Sequence, residues 1–376
     1  MKIVLVPDSF KGTMSSIEVC DIMEASIKKH FANAQVVALP VADGGEGTVD
    51  CFLSAMGGSR IVRTVKGPYN EPLESFYGIV DNGQTAVIEM AAASGLPLVG
   101  DNKQPDKTTT FGVGELIIDA LERGCQRIIL GLGGSCTNDL GCGMAAAVGV
   151  TFTNKDGASF IPTGGTLCEI AHIDKSKVDP RLSSVSIEAM CDIDNPLFGE
   201  RGAAYIFSPQ KGANPEIVKF LDDGLRAASE VIKQDLHVDV SDMRGAGAAG
   251  GMGGGVVAFL GAELKMGIEA VLDTVHFSTI AQDAQLVLTG EGKLDTQSLR
   301  GKVVVGVGQR AQKLGVPVVA VVGDAEDVDV THCGVKAVFT INRRAVPFEI
   351  ARKTSKQDLS ATMDSIMALV KIFAKE

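Results

Sequence analysis

Tryptophan is absent from the sequence, histidine occurs five times, and none of the eight cysteines forms a CxxC pair. The histidines and cysteines show no spacing typical of a zinc site, which argues against a structural metal centre. In a chain of 376 residues, scattered cysteines indicate reduced core residues of a cytosolic protein. We therefore expect the fold to depend on a sizeable hydrophobic core.

Basic residues are also scarce, since 35 lysines and arginines stand against 46 aspartates and glutamates and give a net charge of -11. This balance argues against a nucleic-acid partner or an anionic membrane surface, because both bind a basic face. No apolar stretch reaches the roughly 18 residues of a membrane span, and Asp8 interrupts the first apolar run before it could form a signal peptide. We expect a soluble, cytoplasmic protein, either a monomer or a homodimer.

The length of the chain favours two domains, because one hydrophobic core stops growing below this size. Strand-like and helix-like segments alternate at both ends, at 3–7, 16–30, 36–41, 46–56 and 60–65, and again at 286–289, 298–314, 316–322, 337–341 and 357–374. The predicted fold class is α/β, with a doubly wound parallel sheet formed by residues 1–66 and 284–376. A second α/β domain, residues 67–283, is inserted between them, and we expect the active site in the cleft between the domains.

Four apolar runs end at short loops rich in glycine and carboxylates, at residues 7–13, 42–48, 131–139 and 289–297. Glycine lets backbone N–H groups approach a polyanion, while carboxylates hold Mg²⁺ or accept a proton from a hydroxyl. Ligands of open parallel sheets bind beyond the carboxyl ends of the strands, where these loops begin. The recurrence predicts phosphoryl transfer.

Each loop also has a plainer structural interpretation. Ser15 and Glu18 have the spacing of a capping box, yet Lys11 lies where a strand end meets a helix entry, a position suited to anions. Asp43 and Glu46 have the same capping spacing, but a cap needs no pair of glycines between them, which favours a ligand. Both loops are therefore candidates for phosphate or metal binding.

The third loop, residues 131–139, carries hydroxyls, an amide and a carboxylate among glycines and leads into a predicted helix at 143–148. It is suited to cradling phosphate or to forming a turn, and no Walker A sequence occurs in the chain. In the fourth loop, Lys293 could neutralise a transferring phosphate while Glu291 or Asp295 handles Mg²⁺ or the proton of the nucleophile.

A glycine-rich segment and a pair of aspartates each allow a functional and a structural interpretation. Residues 245–250 spell GAGAAG, a literal GxGxxG, but the segment before them is polar and lies outside any βαβ unit. A hinge or a close helix-packing segment is the better interpretation. Asp192 and Asp194 follow a predicted strand at 185–190 and form either a functional carboxylate pair or a turn.

With these segments identified, the chain resembles the bacterial glycerate kinases that make 2-phosphoglycerate, a family separate from the ribokinase-like and plant-type glycerate kinases. The segments that carry the resemblance are PDSFKGTMS (7–15), VADGGEGT (41–48), VIEMAAASGL (87–96), LGGSCTND (132–139), CDIDNPLFG (191–199), FSPQKGA (207–213), GAGAAGGMGGG (245–255) and TGEGKLDTQSLRGK (289–302). The chain departs from the family's usual pattern at Cys136 and Leu140, which replace alanine and glycine, and at the turn 68–70.

The resemblance implies an ATP- and Mg²⁺-dependent transferase that phosphorylates D-glycerate in glyoxylate, glucarate or related sugar-acid breakdown. Within that reaction we expect Asp192 or Asp295 as the general base and Lys11 and Lys293 at the phosphates. The expected metal ligands are Asp43, Glu46 and Glu291, and the expected nucleotide contacts are Asp8, Ser9, Gly133, Gly134, Ser135, Thr137, Asn138, Gly290 and Gly292. The carboxylate of glycerate also needs a cationic partner, for which Arg63, Arg201 and Arg300 are candidates.

Two rival functions remain at this stage. A nicotinamide-dependent hydroxy-acid oxidoreductase would account for the GxGxxG segment and the doubly wound pattern, but for only one of the four loops. A non-catalytic sensor of a sugar acid or nucleotide would need an output module, and nothing in the sequence resembles one. Transfer to the 3-hydroxyl of glycerate is the alternative within the kinase class.

Overall fold

The computed structural model describes residues 1–42, 44–296 and 298–373, with the backbone alone at position 300. The strands are β1 (Lys2–Pro7), β2 (Gln35–Ala38), β3 (Ser59–Lys66), β4 (Pro72–Val80), β5 (Thr85–Glu89), β6 (Arg127–Gly131), β7 (Thr151–Thr153), β8 (Ser159–Phe160), β9 (His172–Asp174), β10 (Ser186–Met190), β11 (Glu263–Lys265), β12 (Leu286–Gly290), β13 (Lys293–Leu294), β14 (Val318–Val322), β15 (Asp324–Ala325) and β16 (Val335–Thr340). The helices are α1 (Ser16–His30), α2 (Thr48–Met56), α3 (Ala91–Ser94), α4 (Leu96–Val99), α5 (Phe111–Glu122), α6 (Cys142–Ala147), α7 (Ala203–Phe207), α8 (Pro215–Leu236), α9 (Met252–Leu260), α10 (Gly267–Thr274), α11 (Phe277–Ala281), α12 (Val303–Lys313), α13 (Phe348–Ala351) and α14 (Ser355–Phe373).

The chain divides into two compact units. The first comprises Met1–Asp43, Asp50–Met56 and Met266–Glu376, and the second comprises Gly44–Val49 and Gly57–Lys265. The bounds of these units differ from the predicted boundaries at 66 and 284. Strand β3 belongs to the second unit because it pairs along its length with β4, and α10 and α11 belong to the first because they pack against α12.

The first unit contains a five-stranded, wholly parallel sheet in the order β16-β14-β12-β1-β2. Alternate residues of its central strands, including Ile3, Leu5 and Leu288, pack in one cluster with apolar side chains of α1 and α14. Helix α12 packs against β12 and β14. Strand β12 is buried along its whole length, as expected for a strand covered on both faces. The predicted α/β class, with a parallel sheet built from both chain ends, is confirmed.

The second unit contains a six-stranded mixed sheet in the order β11-β10-β6-β5-β4-β3. Strands β5, β6, β10 and β11 are parallel, whereas β3 and β4 add an antiparallel edge. The prediction that residues 60–65 extend the first sheet is therefore wrong, since an antiparallel partner follows directly in sequence. The predicted hairpin turns at 80–83 and 153–157 are confirmed, because they join β4 to β5 and β7 to β8.

Apart from these sheets, the second unit has a small antiparallel sheet in the order β8-β7-β9. The side chains of β7 and β9 pack in a core cluster with α8 and α9. Among the described residues, no helix combines the length and the apolar character needed to cross a bilayer.

Candidate active site

In the first unit, the loops that follow β1 and β12 begin side by side. These strands are parallel neighbours with Pro7 opposite Gly290, and the Asp8 N–H donates to the Gly290 carbonyl at 2.8 Å. A Cβ on Gly290 would lie 2.1 Å from the Val321 carbonyl oxygen, so only glycine fits there. The sheet therefore brings together two loops that were predicted to contact phosphate.

Further contacts join the same two loops. The Ser9 N–H donates to Asp8 Oδ1 at 2.6 Å, which fixes the first turn after β1. A Cβ built on Gly292 would lie 3.3 Å from the backbone nitrogen of Lys11, so these two backbones pass close to one another. The predicted site residues Asp8, Ser9, Lys11, Gly290 and Gly292 thus form one local group.

Glu291 is the most unusual side chain of this group. Its residue is 5% exposed, and within the described chain its Oε1 has no hydrogen-bond partner. Burial raises its pKa to about 7; the negative charges of Asp8 and Asp295 add to the rise, whereas a hydrogen bond with Ser298 and the charge of Lys302 oppose it. A buried carboxyl group with an unused oxygen is costly unless a ligand satisfies it.

The other two charged residues of the fourth loop have partners of their own. Asp295 Oδ1 accepts from the Ser298 N–H at 3.3 Å, and Ser298 Oγ accepts from the Asp295 N–H at 3.1 Å, so this pair closes a turn. The Lys293 ammonium lies 2.6 Å from Glu326 Oε1, and both side chains are about half exposed. The structure thus pairs Lys293 with a surface carboxylate and holds Asp295 in a turn with Ser298.

In the second unit, the loop after β6 packs directly on residues Gly44 and Gly45. The Gly133 N–H donates to the Gly44 carbonyl at 3.0 Å. A Cβ on Gly131 would lie 2.3 Å from the Gly44 carbonyl oxygen, and one on Gly133 would lie 2.6 Å from the Gly45 Cα. Several of these glycines are therefore needed for the two loops to pack together, a role that the sequence analysis did not consider beside ligand approach and turn formation.

Below this loop lies Lys211, a residue to which the sequence analysis gave no role. It is 2% exposed, and its ammonium donates to Ser135 Oγ at 2.8 Å and to the Thr137 carbonyl at 2.7 Å. Burial lowers its pKa to about 8. Ser208 Oγ donates to Asn138 Oδ1 at 3.0 Å, whereas Thr137 Oγ1 and Asn138 Nδ2 have no hydrogen-bond partner among the described residues. In the sequence, Lys211 is a lone lysine within FSPQKGA, a segment quoted for the resemblance.

Asp139, at the end of the same loop, has a structural task. Its fully buried carboxylate accepts from the Thr110 N–H and Oγ1, both at 2.8 Å, and from the N–H groups of Gly141 and Gly143 at 3.1 and 3.2 Å. Burial raises its pKa, and these hydrogen bonds oppose the rise. Asp139 therefore anchors the loop to the start of α6.

The remaining predicted carboxylates differ in their surroundings. Asp192 is half-buried just beyond β10, the strand next to β6, so it follows the same sheet edge as the 131–139 loop. Glu46 is exposed, and Asp43 lies outside the described residues. Asp194 forms long ion pairs with Arg201 and Arg244, at 3.9 and 3.7 Å.

The candidate arginines for the glycerate carboxylate are mostly engaged elsewhere. Arg63 Nε lies 2.8 Å from Asp119 Oδ1, within a cluster that also contains Tyr77 and Arg123. Arg201 is largely exposed beside Asp194. The side chain at position 300 lies outside the described part of the structure.

The GxGxxG segment is a packing element. A Cβ on Gly250 would lie 2.0 Å from the Thr137 carbonyl oxygen, one on Gly247 would lie 2.4 Å from the Pro196 carbonyl oxygen, and one on Gly255 in α9 would lie 1.9 Å from the Leu140 carbonyl oxygen. Backbone segments fill the space that a dinucleotide pyrophosphate would need. The expectation of close packing is confirmed, and the oxidoreductase interpretation loses its main support.

No group of three or more histidine, cysteine or acidic side chains suited to a metal ion occurs among the described residues. Magnesium is nevertheless often held by one or two carboxylates together with substrate phosphates and water. The buried, unpartnered Oε1 of Glu291 fits that mode of binding, because an oxygen ligand for a hard cation is available there.

Comparison with known proteins gives this geometry a context. Residues 3–371 match the model of the glycerate kinase family. A glycerate kinase of Bacillus cereus (strain ATCC 10987) is 45% identical over 379 residues that cover 100% of both chains, and the glycerate 2-kinase of Escherichia coli K12 is 47% identical over 344 residues, 91% of this chain and 90% of the relative. A crystal structure from Salmonella typhimurium LT2, described as a glycerate kinase 2, has a TM-score of 0.88 at 42% identity and covers 99% of this chain and 98% of its own. The chain is therefore a kinase that belongs to the glycerate kinase family.

Proposed function

We propose that the protein transfers the γ-phosphoryl group of ATP to the 2-hydroxyl of D-glycerate, giving 2-phospho-D-glycerate and ADP in the breakdown of sugar acids. The observation that carries the proposal is the 47% identity to a glycerate 2-kinase over 91% of the chain. The polar loops after β1, β6 and β12 support it, because they supply the glycine, carboxylate and lysine groups that phosphoryl transfer requires.

In the first unit, we propose that Lys11 and the backbone of Asp8, Ser9, Gly290 and Gly292 hold phosphate oxygens. Two observations support this assignment. The two loops begin at adjacent strand ends, and their backbones pass within contact distance of each other. Positive charge and oriented N–H groups at such a position stabilise the charge that spreads over a transferring phosphoryl group.

We propose Mg²⁺ as the metal cofactor, with Glu291 as a ligand and Asp43 and Glu46 as the further candidates that the sequence predicts. Bound Mg²⁺ would neutralise part of the negative charge on the nucleotide phosphates. The support from this chain is the Glu291 oxygen without a partner. A cation next to this carboxyl group would favour its ionised form and offset the burial that raises its pKa.

The general base is proposed to be Asp192 or Asp295. Asp192 is half-buried at a strand end, where a carboxylate can reach a ligand without full desolvation. Asp295 is held by reciprocal hydrogen bonds with Ser298, which fix the direction of its side chain. The nucleotide contacts at Gly133, Gly134, Ser135, Thr137 and Asn138 remain part of the proposal.

One coupled assay tests the function. The protein is mixed with MgATP and D-glycerate, ADP is followed, and the position of the phosphate is determined by ³¹P NMR, with L-glycerate and a reaction without acceptor as controls. ADP release that depends on D-glycerate and a 2-phosphoglycerate product are expected. No ADP above the control would reject the kinase proposal, whereas 3-phosphoglycerate would overturn only the position of transfer.

A further inference from the structure

Lys211 places a buried positive charge under the loop at 131–139. Its only hydrogen-bond acceptors in the described structure are neutral, the Ser135 hydroxyl and the Thr137 carbonyl. No carboxylate lies within ion-pair distance of it among the described residues, although the charge of Asp139 acts on it from farther away. Asp139 is itself satisfied by four hydrogen bonds from Thr110, Gly141 and Gly143.

Burying an ammonium group without a contacting anion is expensive, and a purely structural site of this shape would be more stable with an apolar side chain. The Cys136 thiol does not supply the missing charge, because burial raises its pKa to about 12 and it stays neutral. The positive charge at Lys211 is therefore available for an anion that the described residues do not provide.

The loop above Lys211 has the features of an anion-binding surface. Gly134 is exposed and adopts a left-handed conformation with φ of 75°, and in the described chain neither its N–H nor that of Ser135 donates to a backbone carbonyl. Successive N–H groups around a left-handed residue form a concave surface that attracts anions. Thr137 Oγ1 and Asn138 Nδ2, both fully buried, are polar atoms of the same loop that have no hydrogen-bond partner among the residues the structure describes.

We propose that Lys211 is a positioning residue for substrate binding. Its ammonium holds the Ser135 hydroxyl and the Thr137 carbonyl in place and adds positive charge beneath the rim at Gly133, Gly134 and Ser135, where an anionic oxygen group of a substrate binds. Resting on the proposed function, that group belongs either to a nucleotide phosphate or to the carboxylate of glycerate. If the group is the carboxylate, Lys211 supplies the positive charge that the sequence analysis expected from an arginine.

The test compares Lys211→Met with Lys211→Arg and Ser135→Ala. Binding of MgADP and of D-glycerate is measured separately by titration calorimetry, and KM and kcat are measured for each substrate. We expect Lys211→Met to weaken one of the two ligands by about tenfold or more, because a hydrogen-bonded charge next to an anion is lost. KM for the same substrate should rise in parallel, and Lys211→Arg should recover part of the loss.

Lys175→Met is the matched control. Lys175 is a lysine of the second unit that is partly rather than fully buried. Its Nζ donates to the Ala258 carbonyl at 3.3 Å, and burial also lowers its pKa. This variant should bind both ligands as the unchanged protein does. Loss of nucleotide affinity alone in Lys211→Met assigns the rim to phosphate, and loss of glycerate affinity alone assigns it to the carboxylate.

The proposal is overturned if Lys211→Met melts like the unchanged protein and binds both ligands with unchanged affinity. If Lys211→Met does not fold, Lys211→Arg and Ser135→Ala decide the matter, because unchanged affinities in both would have the same meaning. Calorimetry with MgADP and D-glycerate does not depend on turnover. The binding measurements would therefore still test the role of Lys211 if the kinase assay failed.

Discussion

Replacement of Glu291 by glutamine should make the protein more stable at neutral pH and less active. Burial raises the pKa of this carboxyl group from 4.5 to about 7. A difference of this size corresponds to about 3 kcal/mol at pH values where the group is ionised in both states. Because Glu291 is 5% exposed, solvent screening removes little of this cost.

The pH dependence of stability follows from which state, folded or unfolded, keeps the Glu291 proton. Between pH of about 4.5 and about 7 the unfolded chain has lost the Glu291 proton while the folded chain still keeps it, so the unfolded state binds fewer protons. Stability therefore falls as pH rises through this window and then levels off. Glu291→Gln has no proton to lose, so it should match the unchanged protein at about pH 4 and exceed it by about 3 kcal/mol at about pH 8.

The measurement is urea unfolding followed by circular dichroism across this pH range, in buffer with a chelator and without nucleotide. Glu188→Gln is the matched control, because Glu188 is also buried but has a pKa lowered by Arg127 and Lys265, which outweigh the effect of burial. That variant should instead lose stability at neutral pH. Parallel pH curves for Glu291→Gln and the unchanged protein would refute the reasoning, as would full kcat in Glu291→Gln with MgATP.

Three further predictions concern one residue of the first unit and two of the second. Lys293→Ala should lower kcat steeply with little change in the free energy of unfolding, since its ion pair is exposed; equal losses in melting temperature and activity would contradict a catalytic role. Gly255→Ala should destabilise the protein by about 1–3 kcal/mol in thermal unfolding, because its Cβ would meet the Leu140 carbonyl, whereas Gly254→Ala in the same helix should be tolerated. Asp192→Asn should lower kcat by a larger factor than it changes KM in the coupled assay, and its melting temperature should be unchanged. An unaffected kcat would leave Asp295 as the base.

Local elements of the fold were predictable because their signals are local. Helix α1 was predicted at 16–30 and is observed as Ser16–His30, since the capping box of Ser15 and Glu18 fixes its start. The helix predicted at 298–314 begins later, at Val303, because residues 298–300 form a short 3₁₀ turn first. The strands β1 and β12 were predicted from their continuous apolar character, which two covered faces require.

Strand partners were less predictable because pairing depends on distant parts of the chain. A run of β-branched residues at 60–65 is equally compatible with a parallel neighbour in the first sheet and with the antiparallel partner β4 that it has. The conformation of Leu140 likewise depends on residues that are distant in the sequence. Leu140 adopts a φ of 57°, a conformation that favours glycine, and its buried side chain packs in the core of the second unit.

Glycine proved an ambiguous indicator of the site, and buried charge a more discriminating one. Gly131 and Gly133 fit loops that pack on each other, so their presence does not by itself imply a ligand. Glu291 and Lys211 have no comparable structural explanation, because apolar residues would fill the same space at lower cost. A fold retains such groups when function requires them. Glu291 lies in the fourth glycine-rich loop, where the sequence already predicted a role for it, whereas Lys211 lies in a segment quoted only for the family resemblance. Sequence alone named Glu291 as a candidate metal ligand but did not identify Lys211, since a lysine among small residues becomes costly only once tertiary packing excludes water from it.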